Sequence, residues 1–396
     1  MGGEEEFFAA LPARAAVFVL RPKEVGAEPY VSKTANLRRR LQRLLGVAEG
    51  RRLSLRERVG MVEFHEVGGD FEAGLALYRL LRVEFPERYS RRLHLRPAPL
   101  LHLLSENAYP RVTVTARIRS LRMGGAYFGP FASRAEAEQY ASDSLDFFLL
   151  RRCTEELAPD PKFPGCVYSE MKMCLAPCFQ GCSDERYSEE AARAERYFES
   201  GGHSLLVEIS RARDEASERL EFETAAAAHG KLEKLKAVQS RIAEIVHRID
   251  KLNGLMLQPS HLEGHIALIR LAGGMLHEPA AFDLRARSLT AEVQEGSPRV
   301  PTQSMEARIK ELLGAVAPVP PRSAQEWMEH LAILKRWYYR TNKVGEIFFE
   351  DERGQLPMRR VVRAVGRVLK GEKPAGDLSE TAGDYWIFRS KEAGLK

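Results

Sequence analysis

The sequence predicts a mixed α/β protein built from several small units. Short β-like runs (AAVFVL, EPYVS, MVEFHEV) alternate with helical stretches between residues 13 and 95. The stretch from 204 to 250 contains almost no helix breaker and is rich in Glu, Arg, Ala and Leu. With 396 residues, 44% of them hydrophobic, the chain is long enough for about two to four domains with their own cores.

Composition excludes some classes of protein and favours a polyanionic partner. No uncharged apolar run reaches the roughly 18 residues of a membrane span, and MGGEEEFFAALPARAAVF has acids where a signal peptide has lysines. We therefore expect a cytoplasmic protein with no membrane partner. Local basic charge suits DNA, although a solvated helix face remains the alternative. The basic residues are Lys33, Arg38, Arg39, Arg40, Arg43, Arg51, Arg52, Arg56 and Arg58.

The patterns divide the chain into four segments. Residues 12–95 form a small α/β unit whose second helix, FEAGLALYRLLRVEF, follows a predicted cap at Asp70. Residues 96–200 hold β-like runs and all five cysteines, and residues 204–250 form two helices that reverse near Leu220. Residues 262–396 begin with two strands that turn at Gly273 and Gly274, followed by helices around QEWMEHLAILKRWYYR.

The order of four motifs resembles the UvrC family. YVSKTANLRRRL comes first, then YFGPF, the cysteines and LEFETAAAAHGKLEKL. The likeness covers roughly residues 12 to 350. It implies a GIY-YIG nuclease domain, an iron-sulfur region, a UVR hairpin that binds UvrB, and the start of a C-terminal half. It therefore implies a nucleotide excision repair protein with DNA and UvrB as partners.

The first segment keeps only part of the GIY-YIG pattern. That family places two tyrosines, an arginine and a glutamate around one divalent metal, Mg²⁺ or Mn²⁺. Tyr30, Lys33 and Arg40 match the pattern. Phe18 stands at the first tyrosine, and Ser32 replaces the glycine after the second. The resemblance therefore implies remnants of a nuclease site. The local excess of basic charge predicts a DNA-binding set of Lys33, Arg38, Arg39, Arg40 and Arg43.

Leu77 stands where the family has its metal-binding glutamate. No Asp or Glu occurs from Ala73 to Val83, so shifting the alignment by a turn still finds no carboxylate. Glu72 falls on a different helix face, and Glu84 would lie about 10 Å further along the axis. Because leucine cannot ligate a hard cation, we expect an inactive site that holds no divalent metal. Arg40 then becomes a phosphate contact rather than a catalyst.

The cysteine spacing resembles that of the UvrC iron-sulfur region. Twelve residues separate Cys153 from Cys166, seven separate Cys166 from Cys174, and three separate Cys174 from Cys178. The resemblance implies that these four hold a 4Fe-4S cluster, one thiolate per iron, while Cys182 is left over. Zinc and plain thiols remain alternatives. The expected role of the cluster is to tie loops together beside a DNA-binding surface.

The hairpin resembles the UVR motif, whose chemistry is helix packing. The predicted apolar stripe with small residues, which would let a UvrB helix approach, consists of Phe222, Ala225, Ala226, Leu232 and Leu235. His229 and Gly230 stand where the family has an Arg-Asp pair, and a glycine within a helix costs about 1 kcal/mol. A hairpin that packs only within the chain, without a partner, is the alternative.

Beyond residue 260 the likeness covers only the opening of the UvrC C-terminal half, so we expect the second nuclease centre to be absent. The sequence therefore favours a UvrC-like repair protein that binds DNA, UvrB or both without cutting. One alternative is an active GIY-YIG endonuclease of the Cho type, which makes a single incision. Another is an iron-sulfur scaffold or sensor that uses Cys182.

Overall fold

A computed structural model describes residues 2–46, 55–121, 125–285 and 303–372. The predicted mixed α/β fold is confirmed. Its N-terminal unit has a three-stranded antiparallel sheet in the order β2-β1-β3. The elements of this unit are α1 (Gly2–Ala10), β1 (Ala16–Pro22), β2 (Tyr30–Thr34), α2 (Leu37–Leu45), α3 (Leu55–Arg58), β3 (Val59–Glu66), α4 (Asp70–Glu84) and α5 (Tyr89–Leu93).

Helices cover both faces of this sheet because successive side chains of the central strand point to opposite sides. Phe18 packs in a cluster with Leu41 of α2. Val17 packs in a separate cluster with Ala73 of α4. The predicted cap at Asp70 is wrong: Asp70 is the first helical residue, and Gly69 precedes it without a side-chain cap. The Asp70 carboxylate instead binds Lys33 and Arg340.

The middle unit combines a four-stranded antiparallel sheet, in the order β5-β4-β6-β7, with a group of helices. One apolar core runs from Leu101 of the sheet to Leu235 of the last helix, so it crosses the predicted boundary between 200 and 204. The hairpin reverses at Leu220, which has φ of 59°. The elements are β4 (Leu100–Leu103), β5 (Val112–Thr115), β6 (Ala126–Gly129), α6 (Arg134–Leu145), α7 (Val167–Glu170), α8 (Asp184–Glu199), α9 (His203–Glu218), α10 (Phe222–Gln239) and β7 (His247–Arg248).

The C-terminal unit is a five-stranded antiparallel sheet in the order β10-β9-β8-β12, with β11 paired to β9. The predicted turn lies at Gly273 and Gly274, both with positive φ, and the sheet begins at Gly254, before the predicted boundary at 262. The elements are β8 (Gly254–Pro259), β9 (His265–Ala272), β10 (Met275–Leu276), β11 (Ala280–Asp283), α11 (Met305–Ala315), α12 (Ala324–Tyr338), β12 (Glu346–Phe349) and α13 (Met358–Lys370).

Helix α4 joins the N-terminal unit to the C-terminal unit. Its residues Phe71, Leu75 and Tyr78 enter a core that also contains Leu331 and Trp337 of α12. The rings of Phe71 and Trp337 lie 5.6 Å apart, edge to face, a favourable aromatic geometry. The helix on which the nuclease glutamate was expected is therefore packed between two units of the protein.

A buried polar network accompanies this apolar contact. The Tyr78 hydroxyl donates to Glu329 Oε2 over 2.9 Å and accepts from Arg82 Nη1 over 2.9 Å. Arg82 also pairs with Glu326, and the Tyr89 hydroxyl donates to Glu329 Oε1 over 3.0 Å. Although burial alone would raise it, the pKa of Glu326 falls to about 2 because Arg322 and Arg82 bind its carboxylate. Buried polar groups of this kind stabilise one packing geometry because each has its partner.

We predict that His330 makes the protein sensitive to mild acid. Burial, followed by the charge of Arg79, lowers its pKa from 6.5 to about 4, and its Nδ1 accepts the backbone N–H of Leu276. As the pH falls, the imidazole gains its proton in the unfolded chain before it does so in the folded protein. The contribution of His330 to the free energy of unfolding is therefore complete above pH 6.5 and is lost as the pH falls towards 4. The loss from this group alone is up to about 3 kcal/mol.

Chemical denaturation across this pH range tests the assignment. His330→Gln, whose amide oxygen can accept the same hydrogen bond, is expected to flatten the decline. The matched control, His203→Gln, changes an exposed histidine at the start of α9 and should leave the decline as in the wild type. Equal pH profiles for wild type and His330→Gln would contradict the prediction.

We also predict that Gly230→Ala stabilises the protein by about 1 kcal/mol, because alanine is the better helix former. Gly230 lies within α10, and a Cβ added there would meet nothing within 4 Å. Gly202→Ala is the contrasting variant, since φ is 91° and the new Cβ would collide with the Gln239 side chain. Urea titrations should show the two changes moving the free energy of unfolding in opposite directions.

Candidate functional site

The first candidate site lies on the α2 face of the N-terminal sheet. In the pairing of β1 with β2, Phe18 lies opposite Ser32 and Leu20 opposite Tyr30, so these side chains share one face. Helix α2 begins after Asn36, whose side chain accepts the N–H of Arg39. This start places Arg40 Nη2 3.1 Å from the Tyr30 hydroxyl, to which it donates. The structure thus brings together two of the predicted remnants.

Phe18 is fully buried on this face. Its ring lies 6.1 Å from that of Tyr30 and packs in the same apolar cluster as Leu37 and Leu41. The position expected to carry a catalytic tyrosine therefore supplies core packing, with no hydroxyl to offer to a substrate.

Lys33 does not join Tyr30 and Arg40. It lies opposite Val17 on the other face of the sheet, and its Nζ is 2.5 Å from Asp70 Oδ1. Arg340 Nη1 approaches Asp70 Oδ2 at 2.5 Å. Burial would raise the pKa of Asp70, but hydrogen bonds from Lys33 and Arg340 lower it overall. Sequence reasoning missed this ion triad because Arg340 is 270 residues from Asp70 and no local pattern connects them.

Leu77 is half-buried within an apolar stripe of α4. It packs, with Ala76 and Leu80, against the cluster that contains Val17 and Ala73. This is the stripe that attaches the helix to the sheet, so the side chain has a packing role where the resembling family has a metal ligand.

The acids around α4 are engaged with other groups. Glu72, which is buried, accepts the backbone N–H of Gly68 over 2.7 Å. Glu84 and Glu63 both bind the guanidinium of Arg21, at 2.8 and 2.7 Å. These hydrogen bonds, which Arg21 donates to Glu63 first and then to Glu84, raise the pKa of Arg21. The carboxylates weighed as substitutes for the missing glutamate, Glu72 and Glu84, therefore already have partners.

The predicted DNA-binding residues separate into structural and exposed groups. Arg38 donates to the carbonyl oxygens of Leu11 and Ala9, at 2.7 and 2.9 Å, and so ties α2 to the end of α1. Arg39 and Arg43 are exposed and lie one turn apart, on one side of α2. Two further members of the basic run, Arg51 and Arg52, lie outside the described residues.

The second candidate site is formed by the cysteines. Burial, and then the neighbouring thiols, raise the pKa of Cys174 to about 11; those neighbours are Cys153, Cys178 and Cys166. Burial followed by Cys166 likewise raises the pKa of Cys178. Burial raises the pKa of the fifth thiol, Cys182, and the charged groups that act on it are Asp184 and Arg186 rather than other cysteines. Cys174 and Cys178 are therefore each influenced by others of the four predicted ligands.

Two of these sulfur atoms lie beside hydrogen-bond donors. The backbone N–H of Ala176 donates to Cys174 Sγ over 3.3 Å, and Arg151 Nη1 lies 3.6 Å from Cys153 Sγ. Donors of this type favour thiolates and tune iron-sulfur clusters. The chemistry of the donor set therefore fits a thiolate-bound metal group.

The backbone around Cys178 is strained. Ala176 and Gln180, on either side of the short 3-10 helix Pro177–Phe179, have φ of 56° and 60°, and Lys172 has φ of 56°. A non-glycine residue in the left-handed region costs of order 1 kcal/mol and persists where its surroundings impose it.

Among the described residues, no group of three or more His, Cys, Asp or Glu is arranged to hold a metal ion, and the cluster remains a prediction.

The third candidate site is the α9-α10 hairpin. Leu232 and Leu235 are buried against Leu205 and Ile209 of α9, so they stabilise the hairpin within this chain. Phe222 is 69% exposed, Ala226 is exposed and Ala225 is half-buried. Only the N-terminal part of the predicted stripe is therefore open to a partner in this conformation.

A groove of about 700 Å³ lies beside the hairpin. Its lining includes apolar side chains, such as Leu205, Ile209 and Ala228, and both acids and bases, such as Glu208 and Lys231.

Within the described parts of the chain, no helix is long and apolar enough to cross a membrane.

Comparison with known proteins places these features in a family context. Residues 98–197 match the family model of the UvrC/Cho excinuclease middle domain. UvrABC system protein C of Francisella tularensis, strain SCHU S4, is 27% identical over 274 residues, which cover 68% of this chain and 44% of the relative. The protein of the same name from Francisella philomiragia gives the same identity and coverage.

The chain spans less than half the length of these curated relatives, 44% in each case. No solved structure is significantly similar to it. The matched middle domain includes all five cysteines, helices α6 and α7 and most of α8, and the longer matches extend well beyond it. Residues 98–197 are therefore similar to the UvrC/Cho middle domain, and a longer part of the chain is similar to UvrABC system protein C.

Proposed function

We propose that this protein is a cytoplasmic nucleotide excision repair protein that binds DNA and a UvrB-type partner and makes no incision of its own. One observation carries the absence of incision. Leu77 occupies the position of the metal-binding glutamate and packs the helix onto the sheet. A divalent cation needs oxygen ligands, and the nearby carboxylates are held by Arg21, Lys33, Arg340 and a backbone N–H.

The Tyr30-Arg40 pair supports a contact with DNA. Arg40 keeps one hydrogen bond to Tyr30, and the remaining donors of a guanidinium can bind phosphate oxygens. Arg39 and Arg43, exposed on the same helix, extend the positive charge. Contacts of this kind position a duplex without reading its sequence.

The Tyr30-Arg40 pair also favours a second candidate function, that of a Cho-type endonuclease with a single active site. This function requires a metal ligand that comes from outside the N-terminal unit. Phe18 argues against it, because its buried ring cannot orient a nucleophilic water.

An incision assay separates the two candidates. With damaged duplex DNA, UvrB and Mg²⁺ or Mn²⁺, we expect binding but no nick by the wild-type protein. Arg40→Ala should weaken DNA binding, and an Arg134→Ala control on α6 should not. A 3′-side nick that disappears in Arg40→Ala would refute the proposal in favour of the endonuclease.

For the cysteines, we propose that Cys153, Cys166, Cys174 and Cys178 hold a 4Fe-4S cluster, with zinc as the rival. The cluster would supply cross-links between the loops before α7 and α8, which contain the strained residues Ala176 and Gln180. Metal binding that replaces core packing in this way stabilises the folded state. The surrounding donors on Ala176 and Arg151 would stabilise the thiolates.

Matched serine variants test this assignment. Protein purified without oxygen is expected to contain iron and sulfide and to absorb visible light. Cys174→Ser should lose the metal and some thermal stability, because one iron loses its ligand and the loop its cross-link. Cys182→Ser, the matched control, should keep the bound metal and the thermal stability of the wild type. Bound zinc in the wild type would establish the rival, and loss of metal from Cys182→Ser would contradict the choice of ligands.

A further inference from the structure

Helix α13 presents a basic face that the proposed function does not use. Val361, Ala364, Val365 and Val368 are buried in the core beneath the C-terminal sheet. On the opposite side, Arg359, Arg360, Arg363 and Lys370 are exposed. The helix contains no acidic residue between Met358 and Lys370. An amphipathic helix whose polar face is entirely cationic carries a strong local positive potential.

The spacing of these residues aligns the charges. Arg359 and Arg363 are one turn apart, and Lys370 follows two turns later on the same side. At 1.5 Å per residue this line of charge extends about 16 Å. The acids Glu350, Asp351 and Glu352 lie in the turn before the helix and mark the end of the basic face.

Neighbouring groups hold part of this face in position. Arg367 forms a bidentate pair with Glu346, both contacts at 2.8 Å. The guanidinium of Arg360 lies 5.6 Å from the centre of the Phe348 ring. Lys370 Nζ is 3.8 Å from Glu372. In the part of the chain that the structure describes, Arg359 and Arg363 have no such ion pair, so they carry the uncompensated charge.

A glycine interrupts this exposed face. Gly366 is exposed, between Arg363 and Lys370, and a Cβ there would meet nothing within 4 Å. Packing therefore does not require a glycine at this position. Glycine also makes the helix less stable than alanine would, by about 1 kcal/mol. A missing side chain lets another molecule approach the helix backbone closely.

The residue types favour nucleic acid over a lipid surface. Arginine binds phosphate oxygens in a bidentate manner, and four of the five cations of α13 are arginines. A helix that lies on a membrane inserts apolar side chains from its free face, whereas the valine face of α13 is already buried within the protein. Leu369 is the large apolar residue left exposed on this helix.

We infer that the Arg359-Arg363 face of α13 is a second contact for the phosphate backbone of duplex DNA. The inference rests on the proposed DNA-binding function and adds a site to it. This face belongs to a different unit and core from Arg39, Arg40 and Arg43 of α2. Two separated basic faces would hold a duplex at two places and fix its orientation on the protein.

Salt-dependent binding of the full chain to an undamaged DNA duplex tests this inference. Each lost phosphate contact lowers the slope of log affinity against log salt by about 0.9. The double variant Arg359→Gln with Arg363→Gln should therefore lower the slope by about 2 and reduce affinity at least about tenfold near 0.1 M salt. Arg134→Gln with Arg211→Gln removes the same charge from exposed positions on α6 and α9 and should leave the slope unchanged.

The outcomes distinguish the inference from the proposed function. If the wild type binds DNA and the α13 variant keeps its slope, the inference is wrong and the proposed function stands. An equal loss in the α6/α9 control would show a general charge effect and would also overturn it. If the wild type does not bind DNA, both the inference and the proposed function are wrong. Loss of binding to vesicles of anionic phospholipid, with DNA binding intact, would assign the face to membranes instead.

Arg359→Lys with Arg363→Lys checks that folding is not the cause. This variant keeps the charge, so it should keep the slope while losing affinity through the missing bidentate geometry. The melting temperature of every variant should match the wild type, because both arginines are exposed.

Discussion

The docking of α4 against α12 is the constraint on which the rest of the structure depends. One side of α4 packs on the N-terminal sheet through Ala73, Ala76, Leu77 and Leu80, and another enters the central core through Phe71, Leu75 and Tyr78. Arg82 and Tyr78 then bind Glu326 and Glu329 at the buried contact with α12. Helix α4 is therefore held on two sides, by the N-terminal sheet and by α12.

The same constraint explains the condition of the nuclease-like site. A glutamate at position 77 would place a carboxylate in an apolar stripe, where an unpaired charge is strongly disfavoured unless a metal accompanies it. Leu77 instead adds to the packing between helix and sheet. Phe18 makes the corresponding exchange on the opposite face, where the ring fills the core under α2. At both positions an apolar side chain stands where the resembling family has a polar one.

Long-range ion pairs complete the connection between the units. Asp70 accepts contacts from Lys33 in the N-terminal sheet and from Arg340 just beyond α12, while Arg79 pairs with Glu278 of the C-terminal unit. Because Lys33 is used here, the exposed basic set on the first unit is smaller than its sequence suggests. A second exposed basic surface lies on α13.

Local patterns in the sequence were sufficient for the mixed fold, the hairpin reversal at Leu220, the turn at Gly273 and Gly274, and the acid-free helix around Leu77. Each depends on residues close together in the chain, where helical periodicity, glycine geometry and motif order act. Only the tertiary structure decided which charged side chains are held in ion pairs, which stay exposed, and which apolar side chains are buried. Arg340 reaches Asp70 across 270 residues, and Leu232 and Leu235 turn inward against α9. Such contacts depend on how separate elements pack, and no local periodicity encodes that arrangement.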